Sequence, residues 1–168
     1  MGVKNVINLE QYKKHILMPV LKSLEMDSLE AVDLMMGTGL QESEFKHLMQ
    51  IGGGPAIGFF QMEMVTAEDI VYRYVQNKKS EFRTKITGAV PLGSPAWLLT
   101  PNELKWELTV NLALQVLLTR LKYYMVPEPI PTYLSGQAKY WKQYYNTPLG
   151  AGTSDQYYNK YTKEFTNA

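Results

Sequence analysis

The chain of 168 residues contains no cysteine and only two histidines. A protein without cysteine forms neither a disulfide framework nor a thiolate metal site, and it can fold in a reducing cytoplasm. The two histidines, His15 and His47, are too few and too far apart in the sequence to indicate a zinc site. We therefore predict that the protein holds no metal and needs no cofactor.

Net charge and long apolar runs are also lacking. The formal net charge is +1, which argues against a nucleic-acid partner because phosphates favour a clustered basic surface. No run reaches the roughly 18 apolar residues that span a membrane, so we predict no membrane insertion. Polar residues such as Lys4, Asn5 and Asn8 interrupt the N-terminal segment, which indicates that there is no secretory signal peptide.

What is present suits a single folded core. Hydrophobic residues make up 45% of the chain and charged residues 20%, as in ordinary soluble globular proteins. A chain of this length buries about two-thirds of its unfolded surface in one core. Because the apolar residues recur mostly at helical spacing, we predict a mainly α single domain over residues 1–168.

Two helices are predicted in the first quarter of the chain. Asn8 is placed to cap the first, and Pro19 would kink that helix or divide it into two. The second is predicted to begin at Ser28 and to carry Glu42 on its last turn. Glycines at 37 and 39 near its end indicate close packing of a neighbouring backbone or of a ligand.

The next segments indicate a loop, a hairpin and a further helix. Residues 46–55 include three consecutive glycines and are predicted to form the loop. The alternating pattern from Gly58 to Met64 predicts a short strand of a small hairpin. Thr66 and Asp69 have the spacing of a capping box, which predicts a helix start there.

The second half is predicted to contain the most buried helix. Residues 88–101 are rich in glycine and proline and indicate a connector. Thr100, Pro101 and Glu103 predict the start of a helix from Pro101 to Tyr124 that is apolar on nearly every side. Further helices are predicted from about Tyr133 to Tyr144 and from Ser154 onward.

A carboxylate at the end of an apolar helix, followed by glycine-rich backbone, is a candidate general acid. Glycoside cleavage needs an acid that stays protonated near neutral pH, and apolar surroundings raise the pKa of a carboxyl group. Glu42 lies between Leu40 and Phe45 and satisfies this requirement. The alternative is an ordinary solvated glutamate at a helix end.

Two sequence blocks in this region, ESEF from Glu42 and GFFQ ending at Gln61, resemble the E-S-x-F and G-L-M-Q signature of the soluble lytic transglycosylase and goose-type lysozyme superfamily. A later block, YYN ending at Asn146, resembles the A-Y-N-A-G element of that family, with Thr147 and Pro148 in place of Ala and Gly. The resemblance covers roughly residues 34–150. It implies a lysozyme-like domain of phage type, with a small β-hairpin beside the active-site groove.

The resemblance also implies the roles of individual residues. Glu42 corresponds to the catalytic glutamate. The residues implied in substrate binding are Ser43, Gly58, Phe59, Gln61, Tyr145 and Asn146.

Hydrolytic members often add a second carboxylate that positions water, whereas transglycosylases use one glutamate and the 6-hydroxyl of the sugar. Glu63 is the nearest candidate for a second carboxylate, with Glu44, Glu68 and Asp69 as alternatives, although Asp69 is more simply explained as a cap. His47 is more simply a surface or structural residue. Among the aromatic residues, Trp141 is expected to approach the groove most closely, where it would stack on sugar faces.

Two function classes follow. The first is a peptidoglycan-cleaving enzyme that acts on the β-1,4 bond between N-acetylmuramic acid and N-acetylglucosamine, as a lytic transglycosylase or a muramidase. It would be made in the host cytoplasm and reach the cell wall after holin release, as an endolysin, or as part of a virion. The second is a phage structural or ejection protein that keeps the fold with weak or no activity. The expected partners are peptidoglycan glycan strands and, in a virion, other virion proteins.

Overall fold

The computed structural model describes residues 7–166, which fold into a mainly helical structure with one two-stranded sheet in that range. Lys4 and Asn5, which bear on the signal-peptide prediction, lie outside the described residues. The elements are α1 (α-helical Leu9–Tyr12, π-helical Lys13–Leu17 and α-helical Met18–Ser23), α2 (Leu29–Ser43), β1 (Ala56–Ile57), β2 (Met62–Glu63), α3 (α-helical Met64–Glu68 and π-helical Asp69–Val75), α4 (Ser80–Ala89), a 3₁₀ turn (Ala96–Leu98), α5 (Pro101–Val110), α6 (Leu112–Tyr124), α7 (α-helical Leu134–Trp141 and π-helical Lys142–Asn146) and α8 (Ser154–Phe165).

Helix α1 begins as predicted, with the Asn8 side chain accepting a hydrogen bond from the backbone N–H of Gln11 at 3.0 Å. Pro19 follows a π-helical turn in which the N–H of Met18 donates to the carbonyl of Lys13. Proline has no N–H, so the backbone carbonyl one turn before Pro19 lacks its usual hydrogen-bond donor. The π-helical turn before the proline accommodates this loss.

Helix α2 also has the predicted bounds. The hydroxyl of Ser28 caps it by accepting from the N–H of Ala31 at 3.3 Å. The helix ends at Ser43, and Glu44 and Phe45 then take left-handed backbone angles, with φ of 52° and 51°. Glu42 therefore lies on the last turn.

The hairpin is smaller than the sequence predicts. Ala56 pairs with Glu63 and Ile57 with Met62, so most of the predicted strand from Gly58 onward forms the connecting turn instead. The predicted helix start at Thr66 is wrong, because α3 begins at Met64, directly after β2. The strand runs straight into the helix, and Asp69 forms an ion pair with Arg73 inside it at 3.3 Å.

The predicted helix from Pro101 to Tyr124 is two helices. Thr100 and Glu103 form the predicted capping box at the start of α5. The chain then breaks at Asn111, whose backbone is extended and whose side chain accepts a hydrogen bond from the N–H of Leu114 at 3.1 Å. Asparagine competes well for the N-cap position, which explains why an apolar pattern that continues across residue 111 does not give one helix.

Helix α6 is the centre of the core, as predicted. Leu114, Leu117, Leu118 and Leu121 are all buried. Leu112, which begins the helix, is only half-buried, and α5 buries only Leu104 and Leu108. Around α6 pack α1, α2, α3, α4, α5 and α7.

The C-terminal helix α8 packs along α2 and α7. Its Tyr157 is buried, and its hydroxyl donates to the backbone carbonyl of Leu34 at 3.2 Å. The sequence predicts this helix but gives no prediction for α4. Within residues 7–166, no helix combines the length and the apolar character needed to cross a membrane.

Candidate active site

Glu42 is positioned by three helices. It lies on the last turn of α2, half-buried, and its Oε1 accepts a hydrogen bond from the indole Nε1–H of Trp141 on α7 at 2.9 Å. The ammonium of Lys160 on α8 donates to the neighbouring carbonyl of Gln41 at 3.1 Å. The carboxyl group is therefore held at a junction of α2, α7 and α8.

The surroundings of Glu42 favour its protonated form. Burial raises its pKa from 4.5 to about 7, against the opposing effects of the Trp141 hydrogen bond and of the Lys122 and Lys160 charges. A carboxyl group with a pKa near the working pH can hold a proton and still release it, which is what a general acid must do. The sequence predicts a raised pKa from the apolar neighbours Leu40 and Phe45, and in the structure the cause of the raised pKa is burial of the carboxyl group.

The Glu42 carboxyl group faces a groove of about 710 Å³. One side is formed by the hairpin region and the loop before it, and the other by the segment that follows α7. The candidate residues that line it are Glu42, Gln61, Glu63, Tyr145 and Asn146. The structure therefore brings five of the eight candidate catalytic and substrate-binding residues together around one cavity. His47 and Lys122, which are not among those eight, also line it.

Ser43 does not line the groove. Its side chain is buried, where its hydroxyl donates to the carbonyl of Phe59 at 2.7 Å and accepts from the N–H of Phe45 at 3.1 Å. These bonds tie the end of α2 to the hairpin turn. The side chain implied in substrate binding is a structural connection between the two blocks of the signature.

Phe59 also lies in the core, not on the groove. Its ring is buried with its centroid 5.5 Å from that of Phe45 and 6.0 Å from that of Tyr12. The apolar side chain is more stable among these rings than exposed to solvent. Phe59 therefore supports the hairpin turn from behind.

Gly58 is required by packing against the protein itself. Its φ is +76°, and a Cβ at this position would lie 2.6 Å from the side-chain amide carbon of Gln115. That amide spans two elements, since its Oε1 accepts from the N–H of Phe59 at 3.0 Å and its Nε2 donates to the carbonyl of Leu108 at 3.0 Å. The resemblance implies that Gly58 binds substrate, but the close contact at this position is with Gln115 of the protein itself.

Gln61 remains on the groove and has an unusual backbone. Its φ is 48°, uncommon for a residue with a side chain. Its Nε2 donates to the carbonyl of Gly58 at 2.8 Å, which leaves the amide oxygen as an acceptor beside the cavity. The turn holds this amide in one orientation.

Tyr145 closes the inner end of the groove. Its hydroxyl donates to the carbonyl of Phe60 at 2.7 Å, and burial raises its pKa above the ordinary value, with the Glu42 charge acting in the same direction. The ammonium of Lys122 donates to the Tyr145 carbonyl at 2.9 Å and lies 3.9 Å from the centre of its ring. Tyr145 thus ties α7 to the hairpin and remains neutral near pH 7.

Asn146 ends α7 at the groove and begins the segment in which the sequence departs from the resembled family. Its Oδ1 accepts from the ammonium of Lys142 at 2.9 Å, and the same ammonium donates to the carbonyl of Gly150 at 2.7 Å. Thr147 follows with a φ of 70°, a strained value for a β-branched residue. The Thr147-Pro148 replacement therefore coincides with an unusual turn.

Sequence reasoning missed the roles of Lys122 and misjudged Trp141. Lys122 is a charged residue in an apolar helical stretch, and that contrast is a usable signal of a special environment. Burial lowers its pKa, against the effects of Glu42 and Glu63, which raise it. We expected Trp141 to stack on a sugar in the groove, but its side chain is fully buried and cannot do so.

Glu63 is an exposed carboxylate on the groove, in the strand pair with Ala56. Of the other acidic candidates, Glu44 forms an ion pair with Lys46 at 2.7 Å, and this interaction lowers its pKa. Neither Glu44 nor Asp69 lies on the cavity. Within residues 7–166 no cluster of three or more metal-binding side chains is present.

Comparisons with known proteins add no relatives: no family model, curated protein or solved structure matches this chain.

Proposed function

We propose that this chain is a peptidoglycan-cleaving enzyme of lysozyme-like fold that acts on the β-1,4 bond between N-acetylmuramic acid and N-acetylglucosamine. The observation that supports this most is Glu42, a carboxyl group with a pKa of about 7 held at the edge of a groove. A carboxyl group in this state is suited to protonate a leaving glycosidic oxygen. A groove of about 710 Å³ open at the surface suits an extended glycan strand.

In the proposed reaction, the Glu42 proton passes to the glycosidic oxygen as the bond from that oxygen to the anomeric carbon breaks. The electron pair of that bond stays with the leaving sugar, and the anomeric carbon gains oxocarbenium character. Glu42, now a carboxylate, accepts a proton from the incoming nucleophile. The proton returns to Glu42, so no co-reactant is consumed except the nucleophile.

Two mechanisms are compatible with this proposal, and they differ in the nucleophile. In a lytic transglycosylase it is the 6-hydroxyl of the muramic acid residue, which gives an anhydro product. In a muramidase it is water, which gives a reducing end. Glu63 lies on the groove and is the candidate for positioning water. We favour the anhydro product, because one raised-pKa carboxyl group suffices for it.

Substrate contacts are assigned to the candidate residues that line the cavity. The Gln61 amide and Asn146 offer hydrogen-bonding groups suited to the N-acetyl groups of the glycan. Ser43, Gly58 and Phe59 contribute indirectly, because they hold the hairpin turn against the end of α2. In the phage setting that the resemblance implies, the enzyme works as an endolysin or as a virion component.

The test is digestion of purified peptidoglycan by wild type and by Glu42→Gln. The replacement keeps the shape and removes the transferable proton, so activity is expected to fall by about 10² to 10⁴, with unchanged folding by circular dichroism. Mass analysis of the wild-type products separates anhydro ends from reducing ends.

Wild type that leaves peptidoglycan intact, or Glu42→Gln that digests it as fast as wild type, contradicts the catalytic proposal. Either result favours the alternative, a virion structural or ejection protein. Mass spectrometry of purified particles then tests whether the protein is part of a virion.

A further inference from the structure

The contact between Trp141 and Glu42 joins α7 to the last turn of α2, 99 residues apart in the sequence. Trp141 is 0% exposed, and its Nε1–H donates to Glu42 Oε1 at 2.9 Å. A side chain with no exposed surface cannot stack on a sugar in the groove. Any effect of Trp141 on chemistry must therefore act through Glu42.

We propose that Trp141 is a positioning residue that determines which oxygen of Glu42 gives up the proton. This inference rests on the proposed function, in which Glu42 is the general acid. An indole nitrogen donates a hydrogen bond and cannot accept one. Oε1 is therefore the acceptor, and in the neutral acid the proton resides on Oε2.

The hydrogen bond from the Trp141 indole to Glu42 Oε1 becomes stronger during the reaction. When the Oε2–H bond breaks, its proton goes to the leaving glycosidic oxygen and its electron pair remains on the Glu42 carboxylate. The indole N–H then donates to an anion, and such charge-assisted bonds are shorter and stronger than neutral ones. Trp141 thus stabilises the charge that develops on Glu42, without reorganisation, because it is already in place.

The indole ring is held in position by its neighbours. It stacks on Tyr157, with ring centroids 5.5 Å apart and an angle of 30° between the planes. A Cβ at Gly152 would lie 2.6 Å from the Cη2 atom of Trp141, so the backbone after α7 approaches the ring closely. Tyr157 is itself fixed by its bond to the Leu34 carbonyl at 3.2 Å.

Other groups around Glu42 come from each element packed against it. The ammonium groups of Lys122 on α6 and Lys160 on α8 lower its pKa. The phenols of Tyr123 on α6 and Tyr145 on α7 stay neutral below pH 9, because burial raises the pKa of both.

His47 and Glu63 also line the groove, on the side of the hairpin and the loop before it. A His47→Gln variant therefore serves as a control for the histidine on this groove. Glu63 is an exposed acidic residue on the hairpin.

The first experiment follows the indole N–H signals by ¹⁵N NMR between pH 5 and 9. The chain has three tryptophans, and Trp97 and Trp106 serve as internal references. The Trp141 signal is expected to move with a midpoint near pH 7, the pKa of Glu42. The movement should vanish in Glu42→Gln and persist in His47→Gln.

The second experiment measures kcat, KM and their pH dependence for Trp141→Phe. Removing the N–H raises the pKa of Glu42, so the alkaline limb of the profile should move to higher pH. Loss of a hydrogen bond to a charged group predicts a fall in kcat of about 10- to 100-fold, with KM unchanged. Trp106→Phe, the same replacement at an exposed tryptophan of α5 that does not line the groove, is the matched control and should retain the wild-type profile.

A position 141 filled with 3-benzothienyl-alanine keeps the bicyclic shape and lacks only the N–H donor. It should reproduce the shift of the alkaline limb, and it replaces Trp141→Phe if that variant does not fold. A Trp141 signal that is static between pH 5 and 9, or an alkaline limb that stays in place without the N–H, overturns the proposal.

The two proposals fail separately. Wild type without activity refutes the proposed function, and the Glu42 carboxyl signal in ¹³C NMR then replaces the kinetic measurement. A higher midpoint for that signal in the variant that lacks the N–H supports control of Glu42 by Trp141, and an unchanged midpoint contradicts it.

Discussion

The two walls of the groove are built in different ways. On the wall formed by α2 and the hairpin, the Phe45 ring is buried, and a Cβ on Gly39 would lie 2.2 Å from it. The opposite wall, residues 147–152, leaves Leu149 98% exposed and is held by the hydrogen bonds of Lys142. The first wall is core, and the second is a loop at the surface.

Under the proposed function, this difference in packing predicts different roles for the two walls. The packed wall carries Glu42, whose protonation depends on burial, and burial requires immobile neighbours. The loop wall begins after Asn146, and its residues can adjust to a ligand because few buried contacts restrain them. Chemistry is expected to depend on the first wall and substrate affinity on the second.

The largest effect is expected from breaking the packed wall. Phe45→Ala removes a fully buried ring that lies 4.9 Å from the ring of Tyr12. The free energy of unfolding should fall by about 3 to 5 kcal/mol, as measured by urea denaturation. Leu149→Ala is the control on the loop wall and should stay within about 0.5 kcal/mol of wild type. Equal losses of unfolding free energy in Phe45→Ala and Leu149→Ala would contradict the contrast between the packed wall and the loop wall.

Protonation of Glu42 should make stability depend on pH. Burial raises its pKa in the folded state from 4.5 to about 7, so its contribution to folding is full below pH 4.5 and is lost as pH rises through 7. The shift corresponds to at most about 3 kcal/mol. Glu42→Gln should lack this part of the decline when unfolding is measured at pH 5 and pH 8. Parallel pH curves for the two proteins would show that Glu42 is not buried as described.

Packing of the hairpin turn is tested by Gly58→Ala. The added Cβ meets the Gln115 amide at 2.6 Å and the residue has a φ of +76°, so we expect a loss of about 1 to 3 kcal/mol by thermal unfolding. Gly53→Ala separates the two causes, because Gly53 has a φ of +81° with no atom within 4 Å of the added Cβ. If Gly53→Ala costs as much, backbone strain explains the effect and the Gln115 contact does not.

The smallest effect is expected from loosening the loop wall. Lys142→Met removes the donor to Asn146 Oδ1 and to the Gly150 carbonyl. At this half-exposed site the free energy of unfolding should change by less than about 1 kcal/mol. Under the proposed function, KM for peptidoglycan fragments should rise while kcat stays near wild type. A fall in kcat alone would show that this loop acts on the chemistry.

Much of the fold followed from local signals. The caps at Asn8 and Thr100 and the start of α2 beside Ser28 lie where the sequence predicts them, since each depends on a side chain bonding to backbone three residues away. The break at Asn111 and the start of α3 at Met64 were not predicted, because neighbouring elements decide whether an apolar pattern continues as one helix or turns.

The candidate site was predictable only in part. The position of Glu42 at the end of α2 follows from helical spacing. The roles of Ser43 and Phe59 do not, because the partner of the Ser43 hydroxyl is the carbonyl of Phe59, 16 residues further along, and both lie in the core. The sequence signature suggests that all its residues contact a ligand in the groove, but Ser43 and Phe59 make packing contacts behind the groove.

The sequence by itself determined the caps at Asn8 and Thr100, the start of α2 and the acidic residue at its end, because these depend on interactions within a few residues of the chain. Only the tertiary structure decided that burial raises the pKa of Glu42 to about 7 and which of its oxygens Trp141 contacts. Trp141 lies 99 residues away, and burial is a property of the packed core. Local spacing can place a carboxyl group on a helix, but the pKa of that group depends on the residues that exclude water from it.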